Sequence, residues 1–260
     1  MILMKQVLSI IFLSALALAT RAQKLPSVQT SSVIAPNNIK IDGSPMEWTG
    51  GFQAYNGATE IYYTIANDNE CLYLVVQATD DGIIQKIVAG GITLTLRSAD
   101  KKSTVMPATI SYPIVPAVYS QGVSYKLRTN KILSAAQLQA LNTQISGHIK
   151  EIPITGARGI ADSSVSVYND LGIKAAGLID KQKIYTCEIA LPLKYIQQVF
   201  DASGSCRYRL QVNGLDTSGK DGIIVIGGKA VNASDEPVDH GASYFLTSPT
   251  YLQGVYTLAK

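Results

Sequence analysis

Residues 60–78 of this chain, EIYYTIANDNECLYLVVQA, decide its fold class. Two runs rich in aromatic and β-branched residues, 60–66 and 72–78, flank the polar stretch Asn67-Asp-Asn-Glu70. Aromatic and β-branched residues favour strands, and Asn and Asp favour tight turns because their side chains bond to the nearby backbone. The stretch therefore predicts an antiparallel β-hairpin.

The rest of the chain carries strand signals more often than helix signals. Further strand candidates, several of them alternating in polarity, lie at 91–96, 183–190, 207–213, 223–226 and 254–258. Two segments predict short helices: 134–146, which begins with Ser134, a good N-cap residue, and 193–200, which follows Pro192. Strands and helices do not alternate as they do in a parallel sheet. We expect an all-β fold, an antiparallel β-sandwich of jelly-roll or immunoglobulin-like type with one or two short helices in insertions.

The first residues have the pattern of an export signal. Lys5 precedes the apolar run 7–19, and small residues then lead to Ala22. A positive, an apolar and a small-residue region in this order predict a secretory signal peptide at residues 1–22. The protein is therefore expected to be exported, either periplasmic or secreted.

Beyond the signal peptide we expect an extended lead at 23–35 and a single β-sandwich domain at 36–260. No later run approaches the roughly 20 apolar residues that a spanning helix needs, so no membrane insertion is expected after signal removal. Loss of the signal peptide leaves 20 of the 22 basic residues against all 19 acidic residues, a net charge of +1. Such a balance gives no electrostatic reason to expect a nucleic-acid partner.

The three cysteines are Cys71, Cys187 and Cys206. An odd number in an exported protein leaves at least one thiol unpaired. Each lies in or beside an apolar strand candidate, which favours buried thiols. A bridge between Cys187 and Cys206 stays an open alternative.

Two motifs bracket the expected sheets, Ile41-Asp-Gly-x4-Trp48 near the start and Tyr185-Thr-Cys-Glu-Ile-Ala-Leu-Pro-Leu193 near the end. The hairpin, Asp80-Asp81 and Gly90-Gly91 lie between them. This order resembles the carbohydrate-binding module family 9-like domains of the DOMON-type β-sandwich group, here in an exported bacterial protein. In those domains an I-D-G…W opening and a Y-x-x-E-x-x-I-P late strand bracket the sheet pair. The resemblance covers about residues 36–258.

The resemblance implies a sugar-binding sandwich, with one departure. Members that hold sugar ends tightly clamp the ring between two tryptophans, whereas Trp48 is the single tryptophan of this chain. Because Trp48 matches the opening motif and tryptophan is usually largely buried, we interpret it as a core plug and not as an exposed sugar platform. Asp42 and Gly43, which precede it, are then structural as well.

Tyrosine is the expected replacement for a tryptophan clamp, since stacking needs only a flat polarisable ring. Tyr112, Tyr119 and Tyr125 lie in a proline-containing region and are candidates for a glycan-stacking surface. The alternative is that they pack within strands.

Acidic residues offer two further candidate sites. The loop 233–240 brings Asp235, Asp239 and His240 together and predicts contacts to ligand hydroxyls or to a divalent metal, with a solvated loop as the alternative. Near the hairpin, the carboxylates of Asp68, Asp80 and Asp81 predict a calcium site, because calcium prefers oxygen ligands. The alternative is a solvated acidic turn.

Motifs of common enzymes are absent from the sequence: there is no Gly-x-Ser-x-Gly elbow, no His-Glu-x-x-His helix and no Gly-rich phosphate loop. We do not expect an enzyme, nor a cofactor other than the calcium ion. The leading hypothesis is a non-catalytic, exported protein that binds carbohydrate through an aromatic and polar face of the sandwich. The alternative is a structural or protein-interaction sandwich that has lost sugar binding. A haem-binding relative is least favoured, because the chain offers only two histidines and few methionines as axial ligands.

Overall fold

Antiparallel strands dominate the computed structural model, which describes residues 24–116, 119–120, 122–123, 126–127, 133–215, 224–226, 229–231 and 240–260. In chain order the strands are β1 Ala54–Asn56, β2 Ile61–Asn67, β3 Cys71–Ala78, β4 Ile92–Ser98, β5 Ala108–Tyr112, β6 Glu151–Thr155, β7 Ser164–Ser166, β8 Lys174–Ile179, β9 Tyr185–Pro192, β10 Ser205–Val212, β11 Ile224–Ile226, β12 Lys229–Val231 and β13 Thr250–Thr257. Sheet I has the order β1-β2-β3-β9-β8 and sheet II the order β13-β10-β4-β5-β6-β7. Strands β11 and β12 form a separate small ribbon. The predicted all-β sandwich is confirmed.

Helices fill connections between strands. They are α1 Asp81–Gly90, α2 Ala135–His148 and α3 His240–Thr247. Helix α2 begins with a capping box, in which the Ser134 hydroxyl accepts from the backbone N–H of Gln137 and the Gln137 side chain accepts in return from the N–H of Ser134. None of the helices among the described residues is long and apolar enough to cross a membrane.

The hydrophobic core lies between the two sheets, because each strand turns alternate side chains inward. From sheet I the core takes Ile65 and Leu74, and from sheet II Leu94 and Leu210, all at most 1% exposed. Two buried tyrosines join the sheets through this core: the hydroxyls of Tyr63 on β2 and Tyr208 on β10 lie 2.9 Å apart in a hydrogen bond. The pairing satisfies two polar groups that would otherwise be costly to bury.

The predicted hairpin is confirmed, since β2 and β3 pair in antiparallel register with Tyr63 opposite Val76. Two connections differ from prediction. Residues 193–200 form two 3₁₀ turns, Leu193–Tyr195 and Gln197–Val199, instead of one helix. Backbone bonds tie the first turn to other segments, since the Leu193 N–H donates to the Glu70 carbonyl and the Tyr195 carbonyl accepts from the Arg158 N–H. Helix α1 was not predicted, because its pairs of β-branched residues are typical of a strand.

The predicted lead packs against the sandwich where the structure describes it. Asn67, at the end of β2, accepts from the backbone N–H of Ala35 and donates its own N–H to the carbonyl of Val33. Its side-chain oxygen accepts from the hydroxyl of Tyr256, 2.7 Å away, and from the N–H of Ala259, 2.8 Å away. Asn67 therefore binds both ends of the described chain, and we call this arrangement the Asn67 clasp. The predicted signal peptide, residues 1–22, lies outside the described residues.

Candidate functional site

The two bracketing motifs of the sequence meet at one buried carboxylate. Glu188 on β9 points to the outer face of sheet I, since its neighbours along the strand, Cys187 and Ile189, belong to the inner core. Its oxygen Oε1 accepts a hydrogen bond of 2.8 Å from the Trp48 indole Nε1. Its other oxygen, Oε2, accepts from the backbone N–H groups of Gly43 at 2.8 Å and Asp42 at 3.1 Å.

These contacts give Asp42, Gly43 and Trp48 a structural role. Trp48 is 7% exposed and packs with Ala35 and Val75 against the outside of sheet I. Gly43 has a positive φ of 84°, and a Cβ at this position would lie 2.7 Å from the backbone nitrogen of Leu178 on β8. The opening motif therefore covers the outer face of sheet I and is not an exposed sugar platform.

Burial raises the pKa of Glu188, while the Trp48 indole and the backbone donors oppose that shift by favouring the charged carboxylate. A buried carboxylate with three N–H donors and no cation holds structure in place. Nothing in this arrangement points toward an open cavity.

The structure does not bring the three predicted calcium ligands together. Asp68 lies in the β2–β3 turn and Asp80 follows β3, so the whole of strand β3, which spans about 26 Å at roughly 3.3 Å per residue, separates them. The Asp68 side chain instead accepts from the N–H groups of Glu70 and Cys71 and from the hydroxyl of Tyr73. No group of three or more His, Cys, Asp or Glu side chains suited to a metal ion lies within the described part of the chain.

Asp80 and Asp81 also have local structural partners. Asp80 caps helix α1 by accepting from the N–H groups of Gly82 and Ile83. Asp81 forms an ion pair of 2.8 Å with Lys183. The acidic pair therefore caps the start of α1 and attaches it to the turn between β8 and β9.

The tyrosine candidates do not form one surface. Tyr112 ends β5 and is 4% exposed, so its ring is closed to a sugar. Tyr119 is 37% exposed and stacks on His148 of α2, with ring centroids 3.3 Å apart and 9° between the planes. Tyr125 lies outside the described residues.

Asp235 and Asp239, from the predicted acidic loop, also fall outside the part of the chain that the structure describes. His240 is the first residue of helix α3. The sequence prediction for this loop stays a prediction.

All three cysteines are free thiols, and Cys187 and Cys206 are fully buried. A concavity of about 580 Å³ beside the hairpin turn is lined in part by Cys71, Tyr73 and Lys174. Burial raises the pKa of the Cys71 thiol, and the Tyr73 hydroxyl is engaged by Asp68. Reactive thiols have a lowered pKa, so this concavity offers no activated nucleophile.

The outer face of sheet II carries a different set of side chains. Strands β13, β10, β4 and β5 alternate buried apolar residues with outward, more exposed polar ones. We call the following outward residues the polar face: Tyr251, Gln253, Val255 and Thr257 on β13, Ser205, Arg207, Arg209 and Gln211 on β10, Thr93, Thr95 and Arg97 on β4, and Thr109 and Ser111 on β5. Direct neighbours across the sheet are Gln253, Arg209, Thr95 and Thr109. With strands about 4.8 Å apart, this row extends over roughly 14 Å.

Hydrogen bonds connect one half of the polar face into a chain. The Arg209 guanidinium donates to the Gln211 side chain, which donates to Asn213, each over 2.8 Å. Asn213 donates to the Thr93 hydroxyl at 2.9 Å, and Thr93 shares a hydrogen bond of 2.8 Å with Ser111. The chain holds amide and hydroxyl groups in defined positions on the open side of the sheet.

An aromatic ring stands at the edge of this network. The Arg209 guanidinium carbon lies 3.7 Å from the centre of the Tyr251 ring, close enough for a cation–π contact. Tyr251 is still 50% exposed, so the ring keeps free surface. The polar face thus combines an exposed ring with ordered hydrogen-bonding groups, which is the combination that sugar recognition uses.

Sequence reasoning missed the polar face. A signal was present in Ser205-Cys-Arg-Tyr-Arg-Leu-Gln-Val212, where polar residues alternate strictly with apolar ones and two of them are arginines. The neighbouring strands were not recognisable as neighbours from sequence, because β10 pairs with β4 and β13 across long stretches of chain.

Compared with known proteins, the chain matches no family model and no curated protein.

Proposed function

We propose that this protein is an exported, non-catalytic carbohydrate-binding protein whose binding surface is the polar face of sheet II. The observation that carries the proposal is the ordered chain from Arg209 through Gln211 and Asn213 to Thr93, beside the exposed Tyr251 ring. Sugar rings present apolar C–H faces flanked by hydroxyl groups. An aromatic ring next to fixed amide and hydroxyl groups complements both features.

The sequence resemblance supports the same proposal, but we propose a different location for the binding surface than the tyrosines at 112–125. Because Trp48 is a buried plug, the opening motif is not part of the proposed binding surface, and ring stacking on a sugar would depend on tyrosines. Of the tyrosines on the outside of sheet II, Tyr251 lies beside the hydrogen-bonded network. A polar network that is already ordered loses less conformational entropy on binding than flexible side chains would.

Affinity electrophoresis and calorimetry against a panel of plant and bacterial oligosaccharides and polysaccharides test the proposal. We expect binding to at least one of them, and we expect Tyr251→Ala to weaken it by about fivefold, since ring stacking contributes on the order of 1 kcal/mol. Tyr168→Ala is the matched control, because Tyr168 is 84% exposed and lies away from sheet II's polar face. Absence of binding to every sugar, or equal losses in both variants, would contradict the proposal.

A second candidate function is protein binding along β13 before Thr257, whose carbonyl already accepts from the Ser32 hydroxyl. Strand β13 is the edge strand of sheet II, and Val255 on it is 58% exposed. Edge strands offer unpaired backbone groups to an added strand from a partner. A partner that still binds Tyr251→Ala but not a Val255→Pro variant would favour this function over sugar binding.

A further inference from the structure

We infer that the polar face selects acidic glycans, whose sugar rings carry carboxylate or sulfate groups; this inference rests on the proposed function and narrows its ligand. The evidence is the charge of the face. Strands β13, β10, β4 and β5 contribute three outward arginines and no acidic residue, and the exposed Glu151 of the next strand, β6, pairs with Ser166 of β7 near the opposite edge of the sheet. Soluble surfaces ordinarily mix both signs of charge, so this imbalance calls for an anionic partner.

Two of the arginines oppose each other directly. Arg207 on β10 and Arg97 on β4 are partners across the antiparallel pair. Like charges in this position repel and destabilise the sheet. Arg207 donates from its Nε to the backbone carbonyl of Ser98 at 2.8 Å, which orients the guanidinium without neutralising it.

Within the described part of the chain, none of the three arginines has a carboxylate partner. The ion pair found among the described residues joins Lys183 and Asp81, away from the polar face. Arg209 donates to the neutral amide of Gln211, and its Nε is buried without an acceptor. An oxyanion placed between Arg97 and Arg207 would convert their repulsion into attraction, because guanidinium groups bind carboxylate and sulfate oxygens through paired hydrogen bonds.

The positions of Tyr251 and of the arginine pair define how a bound glycan would run along β10. Gln211 and its network lie about 13 Å along β10 from Arg207, four residues away at roughly 3.3 Å each. Tyr251 is the cross-strand partner of Gln211, and Val255 that of Arg207. A glycan that stacks a ring on Tyr251 therefore places a neighbouring unit, with its acidic group, at the pair of Arg97 and Arg207.

Matched pairs of polymers test this selection. Calorimetry would compare polygalacturonate with its fully methyl-esterified form, and dextran sulfate with dextran, so that each pair shares a backbone and differs in charge. Polyglutamate serves as a polycarboxylate without sugar. We expect binding to an acidic member of at least one pair to exceed binding to its neutral counterpart and to polyglutamate by at least about tenfold, the effect of one charge-assisted hydrogen bond.

Variants assign the selection to the proposed pair. In the full chain, Arg97→Gln combined with Arg207→Gln should reduce binding of the acidic polymer by about tenfold or more, whereas Arg158→Gln, which removes an exposed arginine elsewhere, should leave it unchanged. Equal binding of acidic and neutral polymers would overturn the acidic selection and leave the proposed function intact. Equal binding of polyglutamate, or equal losses in all arginine variants, would also overturn it. Failure to bind any sugar polymer would contradict the proposed function itself.

Discussion

The outer face of sheet I is covered by another segment of the chain, whereas the outer face of sheet II is open. On sheet I, residues 33–52 lie over the strands and bury Trp48 and Glu188. On sheet II, the face formed by β13, β10, β4 and β5 stays open, with Tyr251 at 50% exposure. One face is completed by the chain itself, and the other presents its side chains to the surroundings.

The charged side chains of the two outer faces also differ in whether the protein itself supplies their partners. Glu188 has three N–H donors from the covering segment, so its charge is satisfied within the protein. Arg97, Arg207 and Arg209 have no carboxylate partner among the residues that the structure describes. An unneutralised charge is least costly where solvent or a ligand reaches it, so the open polar face of sheet II is where we propose that a ligand binds, whereas the outer face of sheet I has structural contacts.

The largest expected effect concerns the covered face. Trp48→Ala should lower the free energy of unfolding by about 3–5 kcal/mol, because it opens a cavity over sheet I and leaves Glu188 without its indole donor. Chemical denaturation measures the change. Trp48→Phe, which keeps a ring but lacks the N–H, should cost less. A stable Trp48→Ala variant that no longer binds sugar would instead make Trp48 part of the binding surface.

A smaller loss is expected for Glu188→Gln. Glutamine has one acceptor oxygen where glutamate has two, so its amide group would face an N–H donor from either Trp48 or Gly43. The expected cost is about 1–3 kcal/mol, the usual range for an unsatisfied buried polar group. Glu151→Gln is the control on sheet II, where the exposed carboxylate accepts from the Ser164 hydroxyl, and it should change stability little. Similar losses in both variants would remove the distinction between the faces.

Glu188 also predicts a dependence of stability on pH. Because burial raises its pKa above the ordinary 4.5, the folded protein holds this proton more tightly than the unfolded chain. The contribution of Glu188 to stability is therefore fully present below pH 4.5 and declines as the pH rises through the folded pKa. Denaturation at a series of pH values should show this decline in the wild type and lack it in Glu188→Gln. An unchanged pH profile in that variant would assign the titration to another group.

The smallest effect is expected on the open face, and it has the opposite sign. Arg97→Gln should raise the free energy of unfolding by about 0.2–1 kcal/mol, because it removes the repulsion with Arg207 across the strand pair. Arg158→Gln should leave stability unchanged. The same Arg97→Gln protein should bind an acidic glycan more weakly. A loss of stability would show that the arginine pair contributes to the fold.

Local patterns made much of the fold predictable. The hairpin of β2 and β3 follows from two strand-forming runs around an Asn/Asp turn, and the capped start of α2 follows from Ser134. The buried position of Trp48 agrees with its interpretation as a plug. Each of these features depends on residues close together in the sequence or on the known burial preference of a side chain.

The polar face of sheet II, which we propose as the binding surface, was less predictable because it depends on which strands become neighbours. Arg97 and Arg207 meet only when β4 pairs with β10, and Tyr251 reaches Arg209 only when β13 completes the sheet. The carboxylates predicted to bind calcium lie apart for a related reason. Asp68 and Asp80 are close in sequence, yet an extended strand carries them apart.

The Asn67 clasp has a consequence for the order in which the protein assembles. Asn67 in the first hairpin is held by Ala259, 192 residues later in the chain, and also by the segment around Ala35. Contacts between such distant residues form late, because the entropy of closing a long loop opposes them until other structure brings the ends together. The hairpin of β2 and β3 therefore forms before the Asn67 side chain reaches Tyr256 and Ala259, and docking of β13 replaces the water bound to that side chain by these two protein donors.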